Sequence, residues 1–187
     1  MDSSALIDTL HQAIPAAQVE PAAQVEPASS IDLQTTVYLS RDAIGAAARV
    51  LRDRADLAFT FLAELTAVDF WPREPRYEVV YVLVSITNRL RLRLKVRLHA
   101  ADAHVTTVSD VWPAANWLER EVWDLFGIVF DGHPDPRRLL MPDDWEGYPL
   151  RKDYPVQIHK TPGYAEPLQV TEAEFRESLQ RDRLIRN

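Results

Sequence analysis

The chain contains no cysteine and only five glycines in 187 residues. Without cysteine there are no disulfides, no thiolate zinc sites, no thiolate-held iron–sulfur clusters and no cysteine nucleophile. So few glycines leave little for a phosphate-cradling loop, and GxGxxG, GxxxxGK[ST] and GxSxG are all absent, which disfavours a nucleotide enzyme. Long apolar runs are also missing. No stretch approaches the roughly 18 residues of a membrane span, and the first residues lack the basic start and apolar run of a secretion signal. The expectation is a soluble chain that stays inside the cell. Cations are outnumbered: 21 Lys and Arg face 28 Asp and Glu, for a net charge of -7 and a pI near 5.2. That balance argues against a nucleic-acid partner, which needs a basic footprint to displace phosphate counterions.

What is present suffices for one domain with extensions, since 47% of the residues are apolar. Residues 3–14 place Ala5, Leu6, Leu10 and Ile14 near one face of a helix that Ser3 or Ser4 can cap. The following PAAQVEPAAQVEP, residues 15–27, repeats a six-residue unit whose prolines break any helix, so residues 1–30 read as a helix and a flexible spacer. Residues 31–130 read as the folded domain. There a strand is expected over 35–39, followed by a helix capped by Ser40 that presents Ala43, Ile44, Ala47, Val50 and Leu51. Residues 59–65 read as a short helix or turn, and TAVDFW, 66–71, as a strand stopped by Pro72.

The clearest β signal is YEVVYVLVSI, 77–86, apolar enough to be covered on both faces. A turn at Thr87 and Asn88 leads to RLRLRLKVRLH, 89–99, where Leu90, Leu92, Leu94, Val96 and Leu98 alternate with cations. The basic face is either simply solvated or meets an acidic partner. A short strand over 105–108 precedes a helix opened by Ser109. Strands grouped with few helices predict an α+β fold, with a mixed or antiparallel sheet, helices on one side and a long extended C-terminal arm. Residues 131–187 form that arm, ending in a helix opened by the capping box Thr171 to Glu174.

Everything else serves residues 117–155, WLEREVWDLFGIVFDGHPDPRRLLMPDDWEGYPLRKDYP. They hold three of the five tryptophans and a dense mixture of both charges. Pro134, Pro136, Pro142, Pro149 and Pro155 forbid helix and central strand beyond Gly127, which is placed to cap the helix. On a helical wheel Ala114, Leu118, Glu121, Val122 and Leu125 share one face, with Asn116, Glu119 and Trp123 roughly opposite. Glu119 and Glu121 therefore diverge and are not a convergent acid–base pair. Glu121, inside the apolar stripe, calls for a cation among Arg137, Arg138, Arg151 and Lys152. Arg120 and Asp124, four apart, read as a local surface pair. Trp123 is covered either by the returning arm or by another protein. His133 is a loop histidine bonded to backbone or partner, or else a metal ligand or general base with Asp135 and Glu119.

Trp117-Leu-Glu-Arg-Glu121, Trp123-Asp-Leu-Phe-Gly-Ile128, Gly132-His-Pro-Asp135, Arg137-Arg138, Pro142-Asp-Asp-Trp-Glu-Gly147 and Pro149-Leu-Arg-Lys-Asp-Tyr-Pro155 together resemble the C subunit of NADH-quinone oxidoreductase, respiratory complex I. Pro136 stands where that family usually carries Leu. The resemblance implies a peripheral-arm subunit on the cytoplasmic side of a bacterial inner membrane, with no cofactor of its own and FMN and iron–sulfur clusters in other subunits. It implies hetero-oligomeric packing against the D and B subunits around the quinone module, with the I subunit nearby. The partner interface is then expected at Glu119, Arg120, Glu121, Trp123, Asp124, His133, Asp135, Arg137, Arg138, Asp143, Asp144, Trp145, Arg151, Lys152, Asp153 and Tyr154. An equivalent subunit in a ferredoxin-, plastoquinone- or hydrogenase-linked relative is the related alternative. A stand-alone metal hydrolase is the distant one.

Overall fold

The computed structural model describes Thr9 and residues 35–155. The spacer, the C-terminal helix and, apart from Thr9, the N-terminal helix lie outside the described residues. β1, Thr36–Leu39, buries Val37 and Leu39 and runs parallel to β4, Leu90–Leu98. β4 is antiparallel to β3, Tyr77–Ser85, which is antiparallel to β2, Phe61–Asp69, giving the order β1-β4-β3-β2. This mixed sheet with helices against it is the expected α+β class. The strict alternation in β4 holds: its five apolar side chains are buried, with the cations on the other face. β3 is a central strand; its inward residues are buried, whereas Val82 and Val84 on the other face are half-buried rather than enclosed as its apolar run predicts.

α1, Ile44–Asp53, begins after a turn in which the Ala43 N–H donates to the Ser40 carbonyl at 3.1 Å; Ser40 supplies no side-chain cap. It buries Ile44, Ala47, Ala48 and Leu51, leaving Val50 half-buried. β2 departs from the sequence expectation. Residues 59–65 and 66–71 are not a turn and a strand; most of both belongs to one nine-residue strand. A register shift between Leu62 and Glu64 leaves Ala63 and Glu64 both exposed, and this bulge breaks the period-two signal.

After a single 3-10 turn, Ala100–Asp102, comes β5, His104–Thr106. It does not extend the main sheet. It pairs in parallel with β6, Val129–Asp131, and α2, Ala115–Phe126, connects the two. Ala114 rather than Ser109 stands at the start of α2. Ahead of it Trp112, 2% exposed, donates its indole N–H to the Phe59 carbonyl at 2.9 Å and locks the α2 approach to the loop before β2. The apolar cluster is continuous through α1, the inward side of the sheet and α2.

Candidate interaction arm and its anchors

α2 is buried on two sides. Ala115, Val122 and Phe126 join the core, Leu118 and Leu125 pack against it half-buried, and the acids Glu119 and Asp124 are 0% exposed. The wheel assigns Glu121 to the interior, yet Glu121 is half-buried and the two enclosed acids lie elsewhere. An apolar stripe marks only the side facing the sheet. The other side is covered by residues 133–151, and there polar groups rather than apolar ones fill the contact.

Asp124 organises that covering segment. Its Oδ2 accepts three consecutive backbone N–H groups, from Leu139 at 3.0 Å, Leu140 at 2.7 Å and Met141 at 2.9 Å, while its Oδ1 accepts from Arg138 at 2.8 Å. Burial pushes this carboxyl up, but the Met141 N–H, Arg138 and the two other N–H groups outweigh it and hold it below the usual carboxylate range. Arg138 also donates to the Trp145 carbonyl at 2.7 Å and lies 5.7 Å from the centre of the Trp123 ring. The arm thus covers Trp123, one of the two outcomes expected for it.

Arg120 and Asp124 are not a surface pair. Arg120 is 8% exposed and donates to the carbonyls of Arg137 at 3.1 Å and Arg138 at 3.0 Å. None of the four cations proposed for Glu121 is spent on it. Arg138 takes Asp124, Arg151 donates to the Phe126 carbonyl at 2.5 Å, Arg137 pairs with Asp135, and the Lys152 backbone N–H goes to Asp69 at 2.8 Å.

The far end of the arm is fastened to the main sheet. Arg76, between β2 and β3, holds Asp69 through two donors at 2.9 and 2.8 Å, and Asp153 through two more at 3.0 and 2.6 Å. Burial alone would raise the Asp69 carboxyl; Arg76 and the N–H groups of Lys152 and Trp71 instead bring it to about 2. Sequence reasoning misses Asp69 and Arg76, although their places flanking the proline-rich turn WPREP are a signal of two groups brought together.

Gly127 ends α2 at φ 73° and its N–H donates to the Trp123 carbonyl at 2.8 Å. A Cβ there would come within 2.5 Å of both the Tyr148 ring and the Arg151 guanidinium. Gly127→Ala therefore meets backbone strain and displaces an arm contact. A loss of about 2 kcal/mol is expected, readable by urea denaturation.

His133 is a loop histidine bonded to backbone. Its Nε2 donates to the Asn116 carbonyl and its Nδ1 accepts the Asp135 N–H, both at 3.0 Å. Both ring nitrogens are occupied, with Glu119 Oε2 3.9 Å from Nε2, so the hydrolase arrangement is not built. Glu119 instead accepts the Thr107 hydroxyl at 2.5 Å and the Val108 N–H at 2.8 Å. Burial raises its carboxyl to about 7 against these hydrogen bonds. Sequence reasoning misses Thr107 as well, since nothing local to it signals a buried acid twelve residues on.

Of the expected interface, Glu119 and Asp124 are interior and Arg120 nearly so, each used within this chain. Arg138, Arg151 and Asp153 are likewise committed to intramolecular ties. The arm as far as Tyr154 is therefore closed onto its own body. Arg137, Asp143, Asp144 and Lys152 remain exposed, with Leu140 and Leu150 at 59% and 49%. Trp145 is half-buried, its ring 6.5 Å from that of Tyr154.

Residues 37–160, taking in nearly all of the sheet, α2 and the arm as far as residue 160, match the family described as the 30 Kd subunit of respiratory-chain NADH dehydrogenase. The chain belongs to that family. The C subunit of the NADH-quinone oxidoreductase of Roseiflexus sp. (strain RS-1) is 44% identical over 156 residues, covering 83% of this chain and 86% of the relative. Its counterpart in Geobacter metallireducens is 51% identical over 125 residues, 66% of this chain and 76% of its own length. A chain in the membrane-bound sulfane sulfur reductase, an archaeal respiratory membrane complex, superposes with a TM-score of 0.65 at 27% identity, covering 82% of this chain and 85% of that one. The family's members thus belong to respiratory electron-transport complexes that are oxidoreductases. Among the described residues no helix is long and apolar enough to cross a membrane.

Proposed function

We propose that this chain is a structural subunit of the peripheral arm of a proton-translocating NADH-quinone oxidoreductase, carrying no catalytic residue and no cofactor. FMN and the iron–sulfur clusters belong to its neighbours. Its contacts are with the D and B subunits around the quinone module, with the I subunit nearby, on the cytoplasmic face of a bacterial inner membrane. The observation that supports this reading is the family match over residues 37–160, which takes in nearly all of the sheet, α2 and the first part of the arm. The geometry adds a chemical reason. The arm is fastened to its own body through Asp124, Arg120 and Arg76, while Leu140, Leu150 and Arg137 face outward. Apolar points on a preorganised backbone suit association with little ordering cost.

A second reading, the equivalent subunit of a ferredoxin-, plastoquinone- or hydrogenase-linked complex, is favoured by the likeness to a chain of the sulfane sulfur reductase complex. Co-purification from native membranes separates the two. Recovery of D- and B-type subunits together with an NADH-oxidising module supports the first; recovery without that module supports the second; a chain that comes alone sinks both.

The arm surface has its own test. Leu140→Asp combined with Arg137→Glu is expected to reduce recovered partners at least tenfold. The isolated chain should keep an unchanged urea midpoint, because both side chains are exposed. Full assembly of the double variant would remove the arm from the interface.

A further inference from the structure

The turn between β2 and β3 exposes more apolar surface than a connector needs. Phe70 and Trp71 are 39% and 53% exposed, and Val68, near the end of β2, is exposed as well. Beside them the arm presents Leu150. One carboxylate holds the two segments together: Asp69 Oδ1 accepts the Trp71 N–H at 2.9 Å, and its Oδ2 accepts the Lys152 N–H at 2.8 Å. Arg76 closes the junction by bridging Asp69 and Asp153. An exposed tryptophan is thereby set on backbone that is already fastened. Single apolar residues on a surface need no explanation, but adjacent ones rimmed by charge mark contact sites, and tryptophan and arginine dominate the energetics of such contacts.

The charges around this patch decide what fits it. Arg73 and Lys152 are exposed, and among the described residues neither side chain has a hydrogen bond, ion pair or ring contact. The acids alongside are already engaged. Asp69 and Asp153 hold Arg76, while Glu74 accepts the Arg76 N–H and meets the His99 ring, both at 3.1 Å. The uncommitted charge is therefore cationic on the turn and on the arm alike. Phe70 and Arg73 also line a groove with Tyr38, Glu74, Lys95 and Arg97, which leaves room beside Arg73 for an incoming carboxylate.

We infer that the 70–74 turn and residues 150–152 form one docking surface for a neighbouring subunit, whose matching face offers an apolar socket to Trp71 and carboxylates to Arg73 and Lys152. The inference rests on the proposed place of the chain in a multisubunit complex and adds a contact that does not involve Leu140 or Arg137. Two other occupants match the charges less well. A second copy meeting this patch about a two-fold axis would bring Arg73 and Lys152 against their own counterparts, like charge on like. An anionic bilayer would attract the two cations, but the acids around them and the net charge of -7 oppose it.

The lysine permits a direct test, because carbodiimide joins an amine to a carboxylate only where the two touch. In the complex purified from native membranes, the Lys152 amine is expected to couple to an Asp or Glu of one neighbouring subunit, read by mass spectrometry of the joined peptides. Lys152→Arg keeps the charge and should abolish that product while partner recovery stays within about twofold. Arg73→Glu with Lys152→Glu should lower recovery at least tenfold. Hydroxyl-radical footprinting needs no variant: Trp71 and Leu150 should oxidise at least fivefold more slowly in the complex than in the isolated chain, with Ile86, exposed at the β3–β4 turn, unchanged. Equal oxidation of Trp71 in an intact complex overturns the inference and leaves the chain's place in that complex standing; a chain that comes with no partner subunits overturns both. Protection of Trp71 that grows with the concentration of the isolated chain, or that appears on vesicles containing phosphatidylglycerol, also overturns it, assigning the patch to a second copy or to the membrane.

Discussion

Asp124→Ala should lower the unfolding free energy by about 3–5 kcal/mol, the cost of removing one partner from a buried ion pair. It should also make residues 138–150 accessible to protease. The magnitude follows from what the carboxylate does: one oxygen gathers three successive backbone N–H groups and the other neutralises Arg138. Without it, Arg138 keeps only carbonyl partners beside two aromatic rings, and the turn at 139–141 has no acceptor to close around. Asp124→Asn preserves the size and one acceptor, so it should cost about half as much. The measurement is equilibrium urea denaturation alongside limited proteolysis. A loss below about 1 kcal/mol, with the arm still protected, would show that its other ties are sufficient.

The second large effect is a dependence on pH. Glu119 has a carboxyl raised from 4.5 to about 7 by burial. Below its unfolded value the group is protonated in both states and folding is unaffected. As pH rises from there, only the unfolded chain releases the proton, so stability falls until pH passes about 7 and is constant beyond. A difference of that size corresponds to about 3 kcal/mol. Glu119→Gln should remove this slope and leave the chain more stable than the parent at pH 8, since the amide still offers an acceptor to the Val108 N–H. Melting curves at intervals from pH 4.5 to 8 check it; parallel profiles for the two proteins would contradict the enclosed, raised carboxyl. Asp69 and Asp124 act oppositely and in a different window. Their carboxyls are held low, so the stability they contribute is present above the ordinary Asp range and lost only in stronger acid, through about 2 for Asp69.

Glu119 and Asp124 show where the linear chain stops being informative. Side by side on a helical wheel, Glu119, Glu121 and Asp124 differ only in angle, and the apolar stripe points to Glu121 as the enclosed one. The stripe reports one neighbour, the sheet. α2 has a second neighbour, the proline-rich segment, which meets it through backbone N–H groups and arginines rather than through apolar side chains. Polarity that looks like solvent exposure in a sequence is here the signature of contact with irregular backbone, whose own donors must be satisfied.

The residues alone determined the class of fold, the strict alternation of β4, the helix end at Gly127 and the membership signalled by 117–155, because each depends on spacing within a few residues or on an ordered motif. Only the tertiary structure decided that β2 is a single bulged strand, that β5 pairs with β6, and that the arm through Tyr154 is bolted to Asp124, Asp69 and Arg76 of its own chain. Those outcomes join groups as far apart as 83 positions. No local period encodes them, and a carboxylate takes whichever donors the closed fold delivers to it.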